Sequence, residues 1–269
     1  MGKTDIDAVK RFWELHPVAA SAIPHEPGTP EFFRDYDVLR EKNESLRFSY
    51  ELHEYEKFSG KKVLDIGCGN GYVLSHYAKE GAQVVGVDVT STAIRLSAAR
   101  FRLSALSGDF MVANAEMLPF ASGSFDCVCS MGVLHHTPAP ELAVKEILRV
   151  LRPGGRLILM FYHRNSALYR LNFFFQSLMG GISKAALVNQ VDGLDNPKGE
   201  VYSKDELCGL LGAFEDLELF CGVLQGWMIL PRGGSLLPNK LLHPLAKRWG
   251  WFLYAKGRKP QQVRESADL

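Results

Sequence analysis

Between Lys61 and Tyr162 the chain alternates short apolar runs with amphipathic segments of helical period. The runs at Lys62–Ile66, Gln83–Val87, Asp109–Val112, Phe125–Cys129 and Arg156–Tyr162 have the length and bounding turn residues of strands. The intervening segments Tyr72–Glu80, Thr92–Leu103 and Glu141–Leu151 read as helices. In the first, Val73 and Tyr77, and Leu74 and Ala78, stand at i, i+4 spacing; in the last, Ala143, Ile147, Val150 and Leu151 share one face. That last helix opens near Pro140 and ends at Pro153-Gly154-Gly155. Strands alternating with helices predict βαβ units and a parallel sheet. Two later runs, near Leu217–Gly222 and Trp251–Ala255, complete the strand set.

Three segments fall outside this pattern. Up to about Gly60, helical patterns marked by Phe12, Phe33, Leu39 and Leu46 are interrupted by Pro17, Pro24, Pro27 and Pro30, which predicts an N-terminal helical cap over residues 1–60. The core would then occupy 61–269, with insertions at about 163–202 and 224–249. The first insertion carries the aromatic run Leu168–Phe175 and then a polar turn, Asp195-Asn196-Pro197-Lys198-Gly199.

The most informative stretch is Val63-Leu64-Asp65-Ile66-Gly67-Cys68-Gly69-Asn70-Gly71-Tyr72. An apolar strand carries an acid near its end, three glycines follow at alternate positions, and a helix opens behind them. Glycines there let a ligand approach the backbone, and the helix start offers free N–H groups. The dinucleotide fingerprint G-x-G-x-x-G places a pyrophosphate on that helix start. Here the third glycine comes one residue early, and the carboxylate of Asp65 would repel a pyrophosphate but suit an ammonium group. Asp88 ends the next strand, where a carboxylate can hydrogen-bond a ribose diol. Ammonium at one end and ribose at the other describe S-adenosyl-L-methionine better than a nicotinamide dinucleotide.

At these residues the chain resembles the class I S-adenosylmethionine-dependent methyltransferases. Further segments match in order: Asp88; Val112–Phe120; Ser124–Ser130, followed by Val133-Leu134-His135-His136; and Leu148–Leu157. The resemblance is dense over about Lys61–Tyr162 and resumes weakly at Tyr202–Leu207, Ala213-Phe214 and Gly250–Leu253. It implies an α/β, Rossmann-like fold: a seven-stranded, mostly parallel sheet with helices on both faces, the N-terminal cap and lid insertions. It implies methyl transfer to an O, N or C centre of a small molecule, with Asp65, Gly67, Cys68, Gly69, Asp88, Val89, Asn114, Ala115, Ser130 and Met131 around the cofactor. Asn114 stands where the family more often has Asp; its amide oxygen can still accept from an adenine amino group. Additions of this kind usually cover the open rim and select the substrate.

Ligands of open α/β sheets bind outside the carboxyl ends of the strands, which collects Asp65, Asp88, Asn114, Ser130, His135, His136, Tyr162 and His163 along one rim. A general base is needed only where the acceptor loses a proton as it attacks. His136, which follows the fourth strand, is the first candidate; Tyr162 and His163, just past the fifth, are the others. No metal is expected, since Ser130-Met131-Gly132 stands where catechol-type members carry carboxylates. An NAD-dependent oxidoreductase and a non-catalytic cofactor-binding scaffold are the alternatives.

Charge and composition narrow the partners. A formal net charge of +1 gives no global attraction to nucleic acid. The start Met1–Asp7 lacks the apolar core of a signal peptide and no apolar run reaches spanning length, so a cytoplasmic protein is expected. Five cysteines without paired C-x-x-C spacing fit reduced thiols. Between Lys240 and Arg264, Lys240, Lys247, Arg248, Lys256, Arg258, Lys259 and Arg264 are interleaved with Trp249, Trp251, Phe252 and Tyr254. This segment reads as a solvated basic flank or, more sharply, as a weak docking surface for an anionic membrane or a lipophilic acceptor.

Overall fold

The computed structural model describes residues 5–171, 188, 195–229 and 239–261. Phe173, Phe174 and Phe175 of the aromatic run and Arg264 of the basic run lie outside them. The helices up to the first strand are α1 (Ile6–Leu15), α2 (Pro30–Asn43) and α3 (Leu46–His53). The central part then runs β1 (Lys62–Ile66), α4 (Tyr72–Lys79), β2 (Gln83–Asp88), α5 (Ser91–Leu103), β3 (Asp109–Val112), β4 (Phe125–Met131), α6 (Pro140–Val150) and β5 (Leu151–His163). After it come β6 (Val201–Tyr202), α7 (Lys204–Leu210), β7 (Glu215–Gly222), α8 (Gly226–Ile229), α9 (Asn239–Trp249) and β8 (Phe252–Arg258).

Hydrogen bonding orders the sheet β3-β2-β1-β4-β5-β8-β7, with the two-residue β6 pairing with β5 off this path. The first five strands are parallel, and β8 runs antiparallel between β5 and β7. The expected seven strands are present, and β6 makes an eighth. It carries no apolar run of its own and forms only because Val201 and Tyr202 fall beside Tyr162 and His163. The expected break at Pro153-Gly154-Gly155 is also different. Helix α6 stops at Val150, Leu151 already pairs with Phe125, and the proline–glycine stretch forms an irregularity inside β5.

Side chains alternate across this sheet with the strand period of two. Val63, Cys127, Cys129, Ile158 and Met160 face one core cluster; Leu64, Ile66, Val128, Leu157 and Leu159 face the other. The second cluster is covered by α6 and α7 through Ala143, Ile147, Val150 and Leu207. The first is covered by α4 and by α2 and α3, whose Phe32, Phe33, Tyr36 and Leu52 pack with Tyr72 and Tyr77. Helices α2 and α3 therefore share a core with the sheet instead of building a separate one. Each starts as its sequence directs: Thr29 caps α2 with Pro30 in its first turn, Ser45 caps α3, and Thr90 caps α5.

The basic run does not form one surface. Lys256 is buried, donating to the Glu51 carbonyl at 3.0 Å and pairing with Glu54 at 3.4 Å; Lys259 donates to the Leu151 carbonyl at 2.7 Å. Tyr254 is fully buried. Among the described side chains of the run, Lys247 and Arg248 on α9 and Arg258 on β8 face solvent, and α9 also exposes Leu241 and Leu245. No described helix is long and apolar enough to cross a membrane.

Candidate functional site

The carboxyl ends of β1, β2, β3 and β4 open into one cleft, and α1 lies across it. The cleft encloses about 910 Å³, open mouth included. Its floor is built by the turns after each strand: Gly67, Gly69 and Asn70; Asp88, Val89 and Thr90; Ala113, Asn114 and Ala115; Met131, Gly132, Val133 and His136. Ile6, Val9 and Trp13 of α1, with Pro17 and Val18 behind it, form the opposite wall.

The three glycines of the turn serve different ends. All have positive φ, at 75°, 55° and 78° for Gly67, Gly69 and Gly71. A Cβ on Gly67 would overlap the Val133 side chain, and one on Gly71 would press on Ser97. At Gly69 the nearest atom, Val18 Cγ2, is 4.0 Å away, so its backbone faces open cleft. The Gly69 N–H donates to Asp88 Oδ2 at 3.2 Å, while Asp88 Oδ1 accepts from the Thr90 N–H and hydroxyl at 2.9 and 2.8 Å. Burial raises the Asp88 carboxyl, with these hydrogen bonds opposing the rise.

Arg100, on α5, holds the turn from behind. Its Nε donates to the Asn70 carbonyl at 2.9 Å and Nη1 to Asp37 of α2 at 2.8 Å, with the guanidinium 4.6 Å from the Phe33 ring centroid. Asn70 Oδ1 accepts from the Tyr72 N–H at 3.3 Å, and among the described residues Asn70 Nδ2 is a buried donor without a partner. Asp65 Oδ1 is a buried acceptor without one. Burial pushes Asp65 up to about 7, opposed by the Cys129 thiol and the Arg40 charge and reinforced by Asp88. An orphaned donor and an orphaned acceptor thus flank the turn, matching the carboxylate and ammonium of an amino-acid ligand.

Of the residues expected from the sequence, Gly67, Gly69, Asp88, Val89, Asn114, Ala115, Met131 and His136 line the cleft. Asp65, Cys68, Ser130, Tyr162 and His163 do not. The Cys68 thiol lies under the turn, accepting from the Ser97 hydroxyl at 3.5 Å, and burial pushes its pKa up. The Ser130 hydroxyl donates to the Ile66 carbonyl at 2.8 Å, tying β4 to β1. His163 Nδ1–H donates to the Gly250 carbonyl at 3.0 Å beside the Cys221 thiol, away from the cleft wall. The Tyr162 ring is wedged between His135 at 4.2 Å and Trp251 at 5.1 Å. The Asn114 amide oxygen is engaged by the Glu116 N–H at 2.9 Å, an interaction of the local turn.

His136 is buried at the cleft wall. Its Nδ1–H donates to the Lys198 carbonyl at 2.6 Å, and its ring lies 5.1 Å edge-on from Trp13. The neighbouring His135 is fully buried and, among the described residues, neither ring nitrogen is hydrogen-bonded; burial first, then His136, holds its pKa well below the ordinary value. Among the described residues no group of three or more His, Cys, Asp or Glu is placed to hold a metal ion.

Trp13, Asn70 and Thr90 were not singled out by sequence reasoning. Asn70 sits inside the glycine turn and Thr90 has the helix-capping signature, so both carried a signal. Trp13 carried none beyond the helical pattern, because its role depends on where α1 docks. That docking rests on Glu14, whose carboxylate accepts from the Ser91 and Thr92 N–H groups at 3.0 and 3.1 Å and from their hydroxyls at 2.7 and 2.8 Å.

The open, mostly parallel sheet with this cleft is a Rossmann-like α/β fold. Residues 64–159 match the family model described as "Methyltransferase domain". A ubiquinone biosynthesis O-methyltransferase of Chromobacterium violaceum is 32% identical over 138 residues, 51% of this chain and 59% of that protein. The chloroplastic tocopherol O-methyltransferase of Arabidopsis thaliana is 38% identical over 131 residues, 47% and 38% of the two chains. The chain spans about half the length of the curated relatives it matches. Among solved structures, magnesium protoporphyrin IX methyltransferase from Synechocystis PCC 6803 with bound SAH superposes with a TM-score of 0.64 at 16% identity, over 95% of this chain and 100% of that one. The cyclase SpnF shares the fold at a TM-score of 0.58 and 21% identity, over 94% and 96%. Over residues 64–159 the chain is thus similar to a methyltransferase domain, and its fold is that of solved SAM-dependent methyltransferases.

The Glu14 contact gives a pH signature. Burial pulls its carboxyl upward, but the hydrogen bonds from Ser91 and Thr92 outweigh this and hold it below its ordinary 4.5. A depressed folded value adds stability that is present above the ordinary value and lost as pH falls through the folded one. Hydrogen-exchange protection across α1 should therefore drop between about pH 6 and about pH 3. In Glu14→Gln, protection should already be low at the higher pH and change less; equal protection in both proteins at both pH values would show that α1 is held by other contacts.

Proposed function

We propose that this protein transfers a methyl group from S-adenosyl-L-methionine to a small molecule, and that the cleft under α1 holds the donor. The observation that carries the proposal is the pair of orphaned groups at the glycine turn, Asp65 Oδ1 and Asn70 Nδ2, beside the bare Gly69 backbone and the Asp88 carboxylate. In this reading Asp65 and Asn70 take the amino-acid end of the donor, Asp88 its ribose, and the Asn114-Ala115 pair its adenine. When bound, the cofactor supplies a methyl already activated on a sulfonium, so the protein's task is to align, exclude water and accept a proton where needed. The apolar wall of α1 excludes water, and His136, held through Nδ1–H, keeps Nε2 as its basic nitrogen. The O-methyltransferase relatives favour an oxygen acceptor, for which a base is useful.

Two carboxylate variants test the donor site. Asp88→Ala should weaken S-adenosylhomocysteine binding by about 1.5–3 kcal/mol in calorimetry, the worth of a charged hydrogen bond. Asp65→Asn should also weaken it, yet raise the melting temperature of the ligand-free protein. A carboxyl whose folded pKa is raised costs stability as pH climbs from its ordinary value of 3.8 to about 7, and the cost is complete above that. The melting advantage of Asp65→Asn should accordingly be largest above about pH 7 and vanish near pH 4. Tight NAD binding with no response to S-adenosylhomocysteine would favour the oxidoreductase alternative.

A screen of metabolite extracts with methyl-labelled cofactor, read by mass spectrometry, identifies the acceptor. His136→Gln should lower labelling by about two orders of magnitude while leaving cofactor affinity close to wild type. Full labelling would assign His136 to packing, and no labelled product in any extract would favour the binding scaffold.

Similarity to proteins named for ubiquinone biosynthesis and for tocopherol O-methylation, together with the exposed Leu241, Leu245, Lys247 and Arg248 of α9, supports a lipophilic acceptor here, presented at an anionic membrane surface. Sedimentation with vesicles of anionic lipid should capture the protein at low salt, and Leu241→Asp/Leu245→Asp should abolish capture. No binding of wild type at low salt would remove the membrane from the proposal.

A further inference from the structure

The polar turn that precedes β6 reaches the base candidate from outside the sheet. Three contacts fasten it to the segment after β4. His136 Nδ1–H donates to the Lys198 carbonyl at 2.6 Å, Lys198 Nζ donates to the Pro138 carbonyl at 3.2 Å, and the Glu200 N–H donates to the His135 carbonyl at 3.1 Å. Within the turn, Asp195 is exposed and Pro197 to Glu200 are partly exposed, whereas the Asn196 side chain is only 4% exposed. Its Oδ1 accepts from the Lys198 N–H at 3.2 Å, an Asx turn that fixes the peptide geometry around the residue whose carbonyl receives the imidazole proton.

We propose that Asn196 is a positioning residue for His136: its Asx turn holds the Lys198 carbonyl against Nδ1–H and so selects the tautomer that leaves Nε2 basic. The proposal rests on the reading of His136 as the base. The physical reason is that a neutral imidazole carries one proton for two nitrogens, and a carbonyl, which only accepts, fixes that proton on the nitrogen it faces. A turn outside the alternating strand–helix pattern thereby sets the chemistry of a residue that follows β4. A shift of the turn would disengage the base without touching the cofactor cleft, which Asn196 and Lys198 do not line.

Long-range proton–nitrogen NMR spectra of the full protein labelled with nitrogen-15 histidine, recorded at alkaline pH where the ring is neutral, read the tautomer directly. His136 signals are assigned by their loss in His136→Gln. Wild type should show a protonated Nδ1 and an unprotonated Nε2. Asn196→Ala should lose this single pattern, its two nitrogen signals moving toward a common average, while Asn196→Ser, which keeps an acceptor for the turn, should retain it. S-adenosylhomocysteine affinity should stay within about twofold in both variants. A wild-type proton on Nε2 overturns the proposal even if the alanine variant fails to fold. An unchanged pattern in Asn196→Ala also overturns it, and so does a loss of affinity without a change of tautomer. Because the tautomer is read without turnover, absence of methyl transfer would count against the proposed function alone.

Discussion

A ligand is held by main-chain groups only where the backbone is both bare and unable to move, and glycine secures the first at the expense of the second. The turn from Gly67 to Gly71 meets both demands because its neighbours supply the stiffness its own residues lack. Val133 fills the space over Gly67 and Ser97 the space over Gly71, so only Gly69 stays open to the cleft. Arg100 then ties the Asn70 carbonyl to Asp37, linking the turn to α5 and α2 at once. The N-terminal helices are in this sense part of the ligand site. Without α2 the guanidinium would lose its carboxylate partner and much of its aromatic surround.

The same turn concentrates negative charge. Asp65 and Asp88 are both buried near it, both raised by that burial, and Asp65 is raised further by Asp88. A fold that keeps an acceptor and a donor orphaned at one turn stores an unfavourable term that a matching zwitterionic ligand relieves. The α1 wall is attached more lightly, with the Glu14 carboxylate on the start of α5 as its main polar contact and an apolar face toward the cleft. Strong anchoring of the turn and lighter anchoring of its cover suit a site that must admit and release a ligand.

Much of this was legible in the chain. The five parallel strands, the helices between them and the rim that collects their ends follow from apolar periodicity and from proline and glycine punctuation. Seven of the ten residues expected around the cofactor lie in the cleft wall, as does the base candidate His136. The failures share a cause. Cys68 and Ser130 alternate with lining residues, but their side chains point into packing: under the turn, and onto the Ile66 carbonyl. Tyr162 and His163 are the last two residues of β5, on opposite phases, and the His163 ring meets Gly250 and Cys221. Proximity to a strand end places the main chain at the rim; it does not choose which way a side chain turns.

By itself the sequence determined the sheet, the order of its strands' ends and the chemistry of the turn, because those depend on local periodicity and on residue types at fixed spacing. Tertiary structure alone decided what covers and tunes the site: Trp13 from the first helix, Arg100 behind the turn, and the Lys198 carbonyl on His136. Each joins residues tens of positions apart, and no spacing rule within the chain encodes which distant surfaces will meet. The basic C-terminal run shows the same limit, since its pattern held no sign that Lys256 would be drawn inward to Glu54 while Arg248 stayed in solvent.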